Sequence, residues 1–204
     1  MQTLGLGETR VTDAGLKHLK GLNKLVWLNL GGTQVRDAGI SDLKALTHLQ
    51  TLYLQATQVT DAGLKDLKEL KKLKFLDLQN TRIADAGLKD LNELRDLQTL
   101  FLSRTKISDA GVKDLKGLAS LEALYLDGNQ VTDGALKELK ELKSLQTLSV
   151  RDTRITDAGL QELTQLKSLR AVFVSSPNIT DAGIQQLKEA RPEIQVNPPP
   201  PKLN

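Results

Sequence analysis

The 204-residue sequence has no cysteine, a single methionine, two histidines and only six aromatic residues. Without cysteine there are no disulfides, no thiolate metal sites and no thiol nucleophile, which removes several enzyme classes while saying little about compartment. His18 falls on a helical segment and His48 just ahead of a strand, with no third ligand or paired nucleophile in sequence, so both are expected at the surface. No run approaches the roughly 18 apolar residues of a membrane span. The opening Met1-Gln2-Thr3-Leu4-Gly5 lacks the basic and apolar regions of a signal peptide. Charge of one sign is also scarce: the formal net charge is +3, and the lysines are interleaved with acids, as in Lys65-Asp66-Leu67-Lys68-Glu69 and Lys137-Glu138-Leu139-Lys140-Glu141. Charges three and four apart on a helix make a solvated, mutually supporting face, whereas nucleic-acid binding needs a stripe of unpaired Lys and Arg. No nucleic-acid partner is expected.

What the chain has in abundance is repetition. An Asp-Ala-Gly-Leu-like tetrad recurs every 24 residues, with its Asp at positions 13, 37, 61, 85, 109, 133, 157 and 181. Self-similarity at a fixed period of this length is the mark of a solenoid, in which each repeat buries its apolar face only against its neighbours. The unbroken register predicts one domain over residues 1–197, eight repeat units plus a closing strand, followed by a Pro-rich tail at 198–204. Residues 73–96 illustrate the unit. The alternation of Leu76 and Leu78 predicts a short half-buried strand, and Leu88, Leu91 and Leu94 predict one buried stripe of a short helix. Asp85 stands at an N-cap-like position, where its carboxylate would accept the free amides of the first turn. A Thr or Ser precedes the Asp in most copies (Thr12, Thr60, Ser108, Thr132, Thr156, Thr180), and either residue can be the cap. Gly87 and its equivalents are expected to permit close approach between neighbouring helices, because a first-turn glycine otherwise weakens a helix.

The run Leu97-x-x-Leu100-x-Leu102-x-x-Thr105-x-Ile107 resembles the leucine-rich repeat pattern, with Thr where that family usually has Asn or Cys. The likeness covers nearly the whole chain, and its Thr-Asp-Ala-Gly-Leu continuation is similar to the long helical subtype of bacterial repeat proteins and of the substrate arms of F-box proteins. The resemblance implies an α/β solenoid: a horseshoe with a parallel concave β-sheet and convex α-helices. It also implies that Thr9, Thr33, Thr57, Thr81, Thr105 and Thr153 form a hydroxyl ladder satisfying backbone groups of the turns, with Asn129 in one copy and Pro177 breaking the last rung.

If Leu28 and Leu30 point into the core, residues 27 and 29 point out onto the concave sheet. Applied to every copy, the rule gives two outward columns, at positions 3, 27, 51, 75, 99, 123, 147, 171 and at 5, 29, 53, 77, 101, 125, 149, 173, and all six aromatics fall in them. Trp27, Tyr53, Phe75, Phe101 and Tyr125 supply one ring from each of five consecutive repeats; with strands about 4.8 Å apart they make a stripe roughly 20 Å long. Phe173 lies further along. Aromatics suit strands on propensity alone, and ring-on-ring packing without a ligand is the alternative reading. Yet inward strand positions are almost all Leu or Val, and Trp and Tyr are enriched where interfaces concentrate their energy, so the stripe is the candidate binding surface. Arg82, Arg104 and Lys106 are expected beside it as a group that a partner's carboxylates would meet, with Arg151 and Arg154, and with Asp127 and Asp152 further along.

Other features carry no site. The repeated Asp is explained by capping without an ion row. Gly5-Leu6-Gly7 lacks the continuation of a phosphate loop, and Asn178-Ile179-Thr180 fits a glycosylation sequon that matters only in a secretory eukaryotic setting. No catalytic constellation and no cofactor is implied. Ile194 and Val196 fall where a closing strand belongs, and the prolines from Pro198 to Pro201 lack donors for another. Met1 begins directly in strand register with Leu4 and Leu6 in core positions, so missing repeats or a contact covering that edge is expected there. The leading expectation is a non-enzymatic module that binds a protein or peptide on its concave face. A carbohydrate-binding module and a structural or designed consensus scaffold are the alternatives.

Overall fold

A computed structural model describes residues 1–197; the expected Pro-rich tail lies outside the described residues. Each repeat contributes one short strand: β1 (Thr3–Gly5), β2 (Trp27–Asn29), β3 (Thr51–Tyr53), β4 (Phe75–Asp77), β5 (Thr99–Phe101), β6 (Ala123–Tyr125), β7 (Thr147–Ser149), β8 (Ala171–Phe173) and the two-residue β9 (Gln195–Val196). They pair in parallel, in sequence order, as one open nine-stranded sheet. The register advances by one repeat at every step, as in Leu28 to Leu52 to Leu76. Each of β1 to β8 is followed by a helix, α1 (Asp13–Leu16), α2 (Asp37–Leu43), α3 (Asp61–Leu67), α4 (Asp85–Leu88), α5 (Asp109–Lys113), α6 (Asp133–Glu138), α7 (Asp157–Glu162) and α8 (Asp181–Ala190). The result is the α/β leucine-rich solenoid that the repeat implies. Between sheet and helices runs one continuous core of Leu, Ile, Val and a single Ala, with no aromatic residue in it.

The three-residue spacing of Leu88, Leu91 and Leu94 has a sharper meaning than an ordinary helix. After α4 the chain tightens into a 3₁₀ turn over Lys89–Glu93, and similar turns follow α1, α5, α6 and α7. Three residues per turn keeps that stripe in one line, and all three leucines are fully buried. These helices are too short for the charge pairs expected within them. Three of the four ion pairs among the described residues join neighbouring repeats instead, Lys20 to Asp42 at 2.9 Å, Lys71 to Glu93 at 3.0 Å and Lys137 to Glu162 at 3.9 Å.

The repeated Asp is not the cap. In five of the eight copies the preceding hydroxyl is: Thr60, Ser108, Thr132 and Thr156 each accept the amide two residues on, and Thr180 the amide three residues on. The Asp is the first helical residue, and its carboxylate reaches the next repeat. Asp85 Oδ1 accepts the Ser108 amide at 2.8 Å and Oδ2 accepts the Ser108 hydroxyl at 2.6 Å. Asp37, Asp109, Asp133 and Asp157 hold Thr60, Thr132, Thr156 and Thr180 in the same way. Where the partner is Arg36 or Ala84, only the amide bond remains. Gly87 makes the geometry feasible, since an added Cβ there would lie 2.7 Å from Oδ1 of Asp61 and 3.0 Å from its Cα.

The expected threonine ladder satisfies the turns, but within each repeat. Each Thr hydroxyl donates to the carbonyl three residues back, as Thr33 does to Leu30 at 2.6 Å. Around Asn129 rungs join, where its Oδ1 accepts from Thr105 and from the Ile107 amide and its Nδ2 donates to the carbonyls of Leu102 and Leu126. The residue before each of these positions (Glu8, Gly32, Ala56, Asn80, Arg104, Gly128, Asp152) is left-handed, with φ between 53° and 68°. Ser176 is not, because Pro177 drives its predecessor away from helical dihedrals. Its hydroxyl instead donates to the carbonyls of Thr153 and Ile155.

At the C-terminal end Ile194 is buried and β9 pairs with β8. The repeat pattern does not mark Arg191. This residue, 6% exposed, donates through its guanidinium to the carbonyls of Thr164 and Leu166 at 3.1 Å, of Leu169 at 3.4 Å and of Lys167 at 3.5 Å, and pairs with Glu193. At the other end Leu4, Leu6 and Val11 are only partly buried beside the edge strand β1.

Two substitutions separate core from inter-repeat bonding in urea melts. Leu76→Ala removes a fully buried side chain and is expected to cost about 2 to 5 kcal/mol. Asp109→Ala leaves the Thr132 amide without its acceptor and is expected to cost about 1 to 3 kcal/mol.

Candidate functional site

The constant register stacks the outward positions of successive strands into two columns on the open sheet. In the repeats of Tyr53, Phe101 and Tyr125 the ring sits in the second column, and in those of Trp27 and Phe75 it sits in the first. Rings in alternating columns still touch. Centroid distances are 5.6 Å for Trp27 to Tyr53, 4.8 Å for Tyr53 to Phe75, 5.4 Å for Phe75 to Phe101 and 4.1 Å for Phe101 to Tyr125. Two first-column rings can lean across because their own second-column neighbours, Asn29 and Asp77, are short. The first three contacts are tilted at 41° to 58° and the last is stacked at 6°. All five rings are half-buried. The three tilted pairs, at 4.8 to 5.6 Å, fall within the separations favourable to aromatic quadrupoles, and the stacked pair is closer still.

Phe173 stands apart. Ser149 occupies the rung between it and Tyr125, and the Arg151 guanidinium lies 4.8 Å above its ring in a cation–π contact. The cationic group also divides. Arg104 lines an open polar cleft of about 460 Å³ at the C-terminal ends of the strands, with Gln79, Ser103, Asp127 and Arg151. Arg82 and Lys106 do not line it. The left-handed turn at Arg104 and the Thr105 bond to Leu102 send the chain away from the cleft, onto a second row where the Arg82 and Lys106 amides bond to Val59 and Ile83 of the preceding repeats. Asp127 is tied down by the Ser149 hydroxyl and the Arg151 amide. Burial, and then the charge of Asp127, raises the Tyr125 phenol above its ordinary value.

One residue of this surface escaped notice in sequence although the signal was there: Asp77 is the only charged residue among the sixteen positions of the two columns. It is 6% exposed, on the rung that Phe75 crosses. Its Oδ1 accepts the Gln79 amide at 2.9 Å and its Oδ2 accepts from Gln79 Nε2 at 3.2 Å. Burial pushes its carboxyl above the ordinary value, only partly offset by those two bonds. His18 and His48 are both exposed. Among the described residues no three His, Cys, Asp or Glu side chains converge as a metal site would need, and no helix is long and apolar enough to cross a membrane.

The profile described as a leucine-rich repeat region matches residues 52–192. Among solved structures, internalin C2 of Listeria monocytogenes is 26% identical with a TM-score of 0.69, over 85% of this chain and 80% of that one. A second internalin of that organism is 20% identical with a TM-score of 0.71, a likeness of fold alone, over 98% of this chain and 62% of that one. A leucine-rich repeat protein of Leptospira interrogans is 26% identical with a TM-score of 0.76, over 97% of this chain; the chain spans about half the length of that relative, 48%. No curated protein matches the sequence.

The sign of the Asp77 effect is testable. A carboxyl whose folded value is raised keeps its proton better in the native state than in the unfolded one, so stability falls as pH rises from about 3.8 through the raised value. Asp77→Asn is expected to raise the Tm at pH 7, with the gain shrinking as pH falls toward 3.8, in paired thermal melts.

Proposed function

Because the chain belongs to the leucine-rich repeat family, we propose that it is a non-enzymatic interaction module that takes a protein or peptide across its concave sheet. The observation that carries this reading is the unbroken contact of Trp27, Tyr53, Phe75, Phe101 and Tyr125 along an open face, while the core holds no aromatic residue. The core fills without rings, so their placement outside is not a packing need. Contiguous aromatic surface of this kind is where interfaces gather their energy. Arg104 at the cleft and the Arg151–Phe173 pair extend the surface toward the C-terminal repeats. Arg82 and Lys106 stand on its flank, where charges tune association rate more than affinity.

Ring geometry favours a polypeptide over a sugar. Saccharides stack on a free aromatic face, whereas Phe101 and Tyr125 turn their faces to each other at 4.1 Å. What they leave outward are edges, whose partial positive charge suits backbone carbonyls and whose apolar atoms suit aliphatic side chains.

Neighbouring repeats supply the replacements for a test: Thr occupies the first column at residues 51, 99 and 147, and Ser the second at residue 149. The variant carrying Trp27→Thr, Phe75→Thr, Tyr53→Ser, Phe101→Ser and Tyr125→Ser is expected to keep a cooperative melt and to lose at least about 2 kcal/mol of affinity for peptides selected on the wild-type protein. Unchanged affinity for every selected peptide would falsify the concave-face reading.

A further inference from the structure

The carboxylate of Asp77 does a job that needs no charge. Its Oδ1 closes a turn by accepting the Gln79 amide at 2.9 Å, and Asn29, on the equivalent rung two repeats earlier, closes the same turn by accepting the Gly31 amide at 2.8 Å. The two rungs match in their ring as well, since Trp27 leans over Asn29's rung as Phe75 leans over that of Asp77. An amide oxygen therefore suffices for the turn. Among the described residues no Lys, Arg or His nitrogen lies within 4 Å of the Asp77 carboxylate; the ion pairs are elsewhere. A carboxylate 6% exposed, flanked by rings and without a counter-ion, costs stability, and nothing in the fold uses the charge that causes the cost.

We propose that Tyr53, Phe75, Phe101 and Asp77 form a seat for one basic side chain, Lys or Arg, of a protein or peptide lying across the concave sheet. Charge complementarity selects this occupant. A cation is attracted by the negative faces of Tyr53 and Phe75, tilted at 41° to each other, and by the carboxylate behind them, so the two effects act in the same direction, while Phe101 supplies an apolar wall. The aliphatic stem of Lys or Arg lies along the ring edges while its head reaches inward, a division of labour these side chains adopt at apolar surfaces. The half-buried Gln79 carboxamide, whose Nε2 bonds Oδ2 at 3.2 Å, is the group the cation displaces, leaving the Oδ1 bond to the backbone intact. An acidic residue at this rung would meet a buried negative charge, so the seat also sets a polarity: a partner's carboxylates belong toward Arg104 at the cleft, one repeat along and off the rings.

The seat rests on the concave-face reading, and a selection experiment keeps the two separable. A random 12-residue peptide library is panned in parallel on the wild-type protein, on Asp77→Asn and on the five-ring variant. Peptides from the wild type are expected to share one Lys or Arg among apolar residues. Replacing that residue by norleucine or citrulline is expected to weaken binding to the wild type about tenfold or more. On Asp77→Asn the charged and neutral peptides are expected to bind within about twofold of each other, with a circular dichroism melt showing that variant folded. A ring-dependent consensus that is acidic or uncharged, or a charge preference that survives Asp77→Asn, overturns the seat and leaves the concave-face reading standing. A consensus equally recovered on the five-ring variant, or none at all, overturns both.

Discussion

A carboxylate on the first residue of each inner helix, bonded to the backbone and in most copies to the hydroxyl of the next repeat, sets the spacing on which everything else depends. Asp85 with Ser108 and Asp109 with Thr132 show the full form, and glycine one repeat further on leaves room for it. In a solenoid each unit contacts only its neighbours, so a small error in the rise between two repeats would accumulate along the array. The clamp removes that freedom at the helical edge, as the strand ladder does at the other. Only with both fixed do rings contributed from both columns stay in contact across five repeats.

Much of this was legible in the sequence. The 24-residue period marked the number of rungs and the inward leucines, the family resemblance implied their parallel order, and strand alternation put all six aromatics on one face. The threonines were read correctly as groups that satisfy the turns. What failed was the role of the Asp, because a carboxylate ahead of a helix suits both a cap and a clamp, and only the distance to a residue 23 positions on distinguishes them. The intrahelical charge pairs failed for a related reason: α1 to α7, only four to seven residues long, leave their side chains closer to the next repeat than to each other. Arg191 was unreadable, since its four carbonyl partners lie 22 to 27 residues away and its counterparts in other repeats are mostly ordinary surface residues.

The surface was legible as composition but not as polarity. Sequence reading gathered Arg82, Arg104 and Lys106 into one basic flank, and a single left-handed residue at Arg104 was enough to part them. It passed over Asp77 because, in a column of neutral residues, an acid two positions from a glutamine looks like ordinary surface. Burial by the leaning Phe75 ring is what changes its meaning, and that lean depends on the residue beside it being short. The electrostatic character of the concave face thus follows from which column each ring occupies.

The ring ladder has an optical consequence as well. The protein's one tryptophan sits at the end of the row, 5.6 Å from Tyr53, and Tyr125 closes the other end through an unbroken file of phenyl groups. Excitation absorbed by Tyr53 passes to Trp27 over so short a gap before it can be emitted. The indole's emission therefore serves as a built-in, label-free reporter of how crowded or dry the groove has become.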